Sequence, residues 1–170
     1  AALDDPSVDA IWCLRGGYGS GRLLHRIRLP DQPKLVIGYS DITALHALLD
    51  RAGWLALHAP MPASDLLLPG HEDDARALFA LLHHGLPEGA VWTPALAQPA
   101  LRCPGRAQGR LLGGNLSLLA ALCGTPWQPR ADGRLLFIED VSESLYRVDR
   151  LLLQLAQAGL LDAATGFVLG

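Results

Sequence analysis

Short apolar runs alternate with amphipathic stretches along this chain. Residues 10–14 (Ala-Ile-Trp-Cys-Leu), 34–38 and 54–58 are apolar runs of strand type. Leu23, Leu24 and Ile27 mark a short helix that stops before Pro30, and Ile42, Leu45, Leu48 and Leu49 recur at helix spacing up to Gly53. Strand, helix, strand, helix, strand is the rhythm of a parallel sheet. Residues 72–85 predict a further amphipathic helix, with Ala75, Leu78, Phe79 and Leu82 on one face. Residues 87–104 are rich in Pro and Ala with little period, and read as a linker or crossover. Beyond them, residues 110–116 predict a strand turning into a helix that continues through Leu119 and Leu122. Residues 134–138 predict a strand. Leu145, Val148, Leu151, Leu152 and Leu155 form one long apolar helix face ended by Gly159, and residues 165–170 predict another strand. The expected fold class is therefore α/β. A parallel-sheet N-terminal domain over 1–92 is followed by a linker over 93–104 and by part of a second α/β domain over 105–170. Both ends read as cut, since each runs straight into or out of a strand.

Sites in open parallel sheets gather at the carboxyl ends of the strands. Gly16, Ser40, His58 and Glu139 all fall there. Ser40 follows the strand ending in Gly38 by two residues and opens a helix. That placement suits a nucleophile whose developing oxyanion meets free backbone N–H groups. It matches the G-x-S-x-G elbow only in part, because Ile42 stands where the second glycine belongs. Ser40 or Asp41 also fits an N-cap, the commoner use of such residues. The Gly16-Gly17-Tyr18-Gly19-Ser20-Gly21 loop permits close backbone approach. It fits a structural turn or a donor loop for an anionic reaction centre. It lacks both the P-loop ending and the dinucleotide-binding frame. Asn115 can cap its helix or donate to a substrate. Glu139 can serve chemistry, or be a solvated strand end or a cap. His58 ends a strand in the serine-bearing half and is read as lining the pocket rather than as the base for Ser40.

Composition narrows the functional classes. The chain has 170 residues, of which half are hydrophobic and 18% charged, with a net charge of −3. No basic stripe points to nucleic acid, and no apolar run approaches the ~20 residues of a bilayer span. Cys13, Cys103 and Cys123 are odd in number and not in metal spacing, which fits reduced thiols. His83 and His84 sit in the last turn of the predicted 72–85 helix, where the dipole favours them, so they read as a solvated helix end. No cofactor or metal is expected.

Five stretches together resemble the LD-carboxypeptidases, which include murein tetrapeptide carboxypeptidases and relatives that give immunity to microcin C. They are the run from Ala10 through Arg15-Gly16-Gly17-Tyr18-Gly19, Ile37-Gly38-Tyr39-Ser40-Asp41-Ile42-Thr43, His58-Ala59-Pro60-Met61, Leu112-Gly113-Gly114-Asn115-Leu116, and Phe137-Ile138-Glu139-Asp140. The third departs slightly, since the family more often has Gly at position 59.

The resemblance implies a two-domain Ser–His–Glu hydrolase with Ser40 as nucleophile and Glu139 as the carboxylate. The family's histidine falls beyond Gly170, and its opening strand falls before Ala1. The N–H groups of Asp41 and of Gly16 or Gly17 are the candidate oxyanion donors, with Asn115 a candidate substrate contact. The implied reaction releases D-alanine from a muropeptide stem in cytoplasmic wall recycling, by a homodimer. A microcin-type peptide-adenylate is the alternative substrate. A non-catalytic α/β ligand binder, with the glycine loop as an anion site, is the alternative of a different class. Ser40, Glu139 and Gly16-Gly17 are expected to border one cleft between the halves. The chain by itself is expected to have little activity and marginal stability.

Overall fold

The computed structural model describes residues 2–91 and 105–170, so the expected linker over 93–104 and Cys103 lie outside the described residues. The first unit is a parallel sheet of β1 (Ala10–Trp12), β2 (Leu35–Gly38) and β3 (Ala56–His58), in that order. Helix α1 (Thr43–Arg51) makes the crossover from β2 to β3, and α2 (Glu72–His84) follows. The second unit is a parallel sheet of β4 (Arg110–Asn115), β5 (Arg134–Glu139) and β6 (Gly166–Leu169). Helix α3 (Leu116–Leu122) joins β4 to β5, and α4 (Leu145–Gln157) with the short α5 (Leu160–Ala163) joins β5 to β6. The parallel α/β expectation holds in both units.

Three local readings change. The expected helix through Leu23 and Ile27 is instead a 3₁₀ turn over Ser20–Arg22 followed by isolated turns. Gly19, at φ 115°, and Gly21 raise the cost of a helical nucleus there. A π-helical turn over Pro62–Leu66 follows β3, without a periodic pattern to announce it. On α2 only Leu78 is buried; Phe79 stays half-exposed and meets Trp12 edge-on at 5.8 Å.

Each sheet has its own core. Val36, Leu49 and Trp54 pack on one face of the first sheet, and Ile37, Ala59 and Leu78 pack together separately. Leu116, Leu119, Leu136, Ile138, Leu155 and Leu160 fill the second unit. A further cluster of Leu24, Ala44, Ala47 and Leu122 spans the two units, with α1 lying against α3. Small side chains at Ala44 and Ala47 let that contact close.

Polar contacts fix how α1 lies across this seam. Asn115 N–H donates to Thr43 Oγ1 at 3.0 Å near the start of α1. Near its end, Arg134 pairs with Asp50 at 2.9 Å, both side chains largely buried. Asn115 ends β4 and Arg134 begins β5, so α1 runs antiparallel to the strands of the second sheet. Gly114 is required here. Its φ is 139°, and a β-carbon would lie 2.5 Å from Thr43 Oγ1.

Candidate active site

The chain turns sharply where β2 ends. Gly38 closes the strand, Tyr39 is extended, and Ser40 takes φ 60° before a 3₁₀ turn over Ser40–Ile42 leads into α1. A non-glycine residue in the left-handed region is strained, and such residues persist only where the surroundings over-determine them. Gly38 helps to do so. A β-carbon there would be 3.0 Å from Ile42 Cγ1 and 3.2 Å from Cys13 Cβ. Neither Ser40 nor Asp41 caps the helix; no side-chain cap bond forms at the start of the 3₁₀ turn or of α1. The N-cap alternative is thereby removed.

Gly16 faces the serine. A β-carbon at position 16 would stand 3.3 Å from Ser40 Oγ and 3.5 Å from Met61 Cε. The Gly16–Gly21 loop is tied down at Ser20, whose N–H donates to Asp41 Oδ2 at 2.9 Å. The Ser20 hydroxyl returns a bond to the Asp41 carbonyl. Both residues are buried.

Behind Ser40, the Tyr39 hydroxyl donates to Asp65 Oδ1 at 2.7 Å, and Asp65 Oδ2 accepts from Met61 N–H at 2.9 Å. Burial pushes the Tyr39 phenol up, Asp65 adds to this, and the Glu139 carboxylate contributes in the same direction.

Glu139 ends β5 directly beside Asn115 at the end of β4. Its Oε1 is buried without a hydrogen-bond partner among the described residues. Burial raises its pKa, the adjacent Asp140 raises it further, and the Asn115 side chain opposes them. Asn115 does cap α3, its Oδ1 accepting from Leu118 N–H at 3.2 Å. Asp140 holds the next stretch by accepting from Ser117 N–H at 3.2 Å and from Val141 N–H at 2.8 Å.

His58 lies between the units. Its ring meets Phe137 edge-on at 5.0 Å, Tyr39 at 5.8 Å and His46 at 6.5 Å. Nδ1 of His58 and Nε2 of His46 are buried without partners among the described residues. Burial lowers the His58 pKa. Burial and the nearby His58 lower that of His46 to about 4. His58 is hydrogen-bonded to neither Ser40 nor Glu139, so it packs in the seam and does not link them.

Sequence reading missed Ser20, Thr43, His46 and Asp65. The Ser20–Asp41 and Tyr39–Asp65 pairs span loops with no periodic signal. Thr43 and His46 lie within a helix whose spacing marks only its apolar face. No group of three or more His, Cys, Asp or Glu among the described residues is arranged to hold a metal ion, and Cys13 and Cys123 are free thiols.

Two parallel α/β units, joined through the helix that follows a strained serine, define a mixed α/β protein with its candidate site at the seam. Comparison with known proteins agrees with that architecture. The family model for the LD-carboxypeptidase N-terminal domain matches residues 1–59, and that for the LD-carboxypeptidase C-terminal domain matches residues 108–170. A murein tetrapeptide carboxypeptidase of Pseudomonas aeruginosa is 36% identical over 173 residues, covering 92% of this chain and 53% of its own length. The crystal structure of a muramoyltetrapeptide carboxypeptidase from Oxalobacter formigenes superposes with a TM-score of 0.81 at 34% identity, over 99% of this chain and 58% of that one. The microcin C7 self-immunity protein of Escherichia coli is more distant, 26% identical over 98% of this chain and 57% of its own. The chain belongs to the LD-carboxypeptidase family. It spans about half the length of the curated relatives it matches.

Proposed function

We propose that the whole protein is a serine LD-carboxypeptidase that releases the terminal D-alanine of a murein tetrapeptide. The observation that carries this reading is Ser40 at φ 60° on the corner after β2, with the Gly16 backbone against its hydroxyl. Strain of this kind is kept at reacting positions. Ser40 Oγ attacks the carbonyl carbon of the last peptide bond while an imidazole takes its proton. The new oxyanion is met by the N–H groups of Asp41 and of Gly16 or Gly17. The C–N bond then breaks as the imidazolium returns a proton to the leaving amine of D-alanine, and water hydrolyses the acyl-serine.

Glu139 orients that imidazole and stabilises its charged form. Its unpartnered Oε1 is the acceptor left open for a ring N–H. The histidine is assigned outside the described residues, as the family resemblance implies; His46 and His58, which lie at the seam, bond neither Ser40 nor Glu139. Asn115, whose Oδ1 caps α3 and whose side chain also bonds Glu139, holds that carboxylate in place beside the substrate. A murein substrate is favoured over a microcin-type peptide-adenylate by the higher identity to murein carboxypeptidases.

Cytoplasmic wall recycling by a homodimer belongs to the same reading. The free thiols Cys13 and Cys123 support a reducing compartment, and the exposed Leu145, Tyr146 and Leu153 of α4 support an association surface. A division into two domains around 93–104 is supported by a separate sheet on each side. The test is D-alanine release from murein tetrapeptide by the whole protein, with a fluorophosphonate as serine probe. Ser40→Ala is expected to abolish both labelling and turnover. Turnover that survives in Ser40→Ala overturns the assignment. The 170-residue chain alone is expected to show no more than the residual rate of a broken triad.

A further inference from the structure

Asp41 faces two ways. Its backbone follows Ser40 directly, while its carboxylate reaches Ser20 across 21 positions and accepts that residue's N–H at 2.9 Å. The Ser20 hydroxyl closes the ring on the Asp41 carbonyl. Asp41 is 7% exposed and Ser20 6%. Beyond the loop Leu24 is buried in the seam core, and Gly16 lies against Ser40 and Met61, but between them the loop has few side-chain contacts. Gly17 and Gly19 take φ 134° and 115°, and neither would meet any atom within 4 Å if given a β-carbon. Its other side-chain bond, from Arg22 to the Tyr18 hydroxyl at 3.2 Å, is exposed and internal to the loop. A glycine-rich segment with so few contacts samples many conformations unless it is anchored. Its anchor is the residue next to the serine. The Asp41–Ser20 pair is thus the side-chain link that ties this loop to the turn carrying Ser40.

We propose that Asp41 is a positioning residue for this reaction: by latching Ser20, its carboxylate holds the Gly16–Gly17 backbone at donor distance from the oxyanion formed at Ser40. The proposal rests on the reading of Ser40 as nucleophile. Its physical content is that oxyanion donors act only when they are fixed before the reaction, and a misplacement of about 1 Å costs on the order of 10²-fold in rate.

The experiment uses the whole protein and its Asp41→Ala, Asp41→Asn and Ser20→Ala variants. The readouts are kcat and KM on murein tetrapeptide, the rate of fluorophosphonate labelling of Ser40, and amide hydrogen exchange at Ser20. Asp41→Ala is expected to lower kcat on the order of 10²-fold with KM little changed, to slow labelling in parallel, and to speed exchange at Ser20. Asp41→Asn keeps an acceptor oxygen in place and is expected to recover most of kcat. Faster exchange at Ser20 without loss of kcat overturns the positioning role. Unchanged exchange at Ser20 overturns the latch, and an asparagine variant as impaired as the alanine variant overturns both. If Asp41→Ala does not fold, Ser20→Ala carries the test. It removes only the return bond, so a smaller fall in kcat at constant KM is expected, and wild-type kcat overturns the proposal. A wild-type protein that takes no label overturns the nucleophile reading and this proposal with it, while exchange at Ser20 reports separately whether the latch exists.

Discussion

Asn115 donates its backbone N–H to the hydroxyl of Thr43 at 3.0 Å, across the seam between the two sheets. Thr43 is three residues from Ser40 and 1% exposed, and Asn115 is the register partner of Glu139. One hydrogen bond thus joins the serine turn to the strand pair that carries the carboxylate.

Thr43→Val keeps the shape and removes the acceptor. It leaves the Asn115 N–H without its partner, which typically costs ~1–3 kcal/mol. Urea unfolding of the variant is expected to show a loss in that range. A variant as stable as wild type would mean that the bond contributes nothing to the seam.

Gly16→Ala tests the close approach to the serine. The added β-carbon falls 3.3 Å from the hydroxyl of Ser40, the proposed nucleophile. Labelling of Ser40 by a fluorophosphonate is expected to slow more than about tenfold, since a displaced nucleophile or donor is felt strongly. Wild-type labelling would show that the loop yields without consequence.

Stability is expected to fall on acidification because of His46. Its folded pKa is about 4, against 6.5 for the free imidazole. Below about pH 6.5 the unfolded chain takes up a proton that the folded chain refuses, so the loss begins there and levels off only below the folded value. Between about pH 7.5 and about pH 5 it amounts to ~2 kcal/mol. His46→Phe is expected to flatten the dependence measured by urea unfolding at the two pH values. An equally steep variant would place the effect elsewhere.

On the proposed reading of Glu139 as the triad carboxylate, it sets the acid side of the activity profile. Its raised pKa means that the ionised form is lost at higher pH than for an ordinary glutamate. Activity that needs the carboxylate should therefore fall as pH drops through that raised value. Asp140→Asn removes a neighbouring negative charge and is expected to move the acid limb of kcat/KM to lower pH. A limb that stays in place would separate Asp140 from the titration.

The strands and long helices were legible in the sequence because apolar runs and helix spacing report burial directly. The positions of Gly16, Ser40, Asn115 and Glu139 at strand ends followed from the same pattern. What spacing does not encode is where a polar side chain finds its partner. Asp41 read as a cap because capping is a local event, yet its carboxylate is taken by Ser20 in a distant loop. Asn115 read as either cap or donor; it caps α3 through Leu118 N–H, and its side chain also bonds the neighbouring Glu139, a partner that spacing alone does not name. The turns around Ser20 and Pro62 were missed because each is shaped by tertiary contacts rather than by a periodic run.

The glycine at 114 has a consequence for how this family's chemistry can vary. Because Thr43 fills the space a side chain would occupy there, any side chain at 114 would push α1 away from the second sheet. Ser40 rides on the turn that leads into that helix, and Glu139 on the strand beneath it. On the proposed reading neither half holds the Ser40–Glu139 pair by itself, and the alignment of the two is inherited through a contact between Thr43 and the 114–115 backbone. Drift at this join would detune turnover without altering any reacting group, so residues 43 and 114 are expected to change together or not at all.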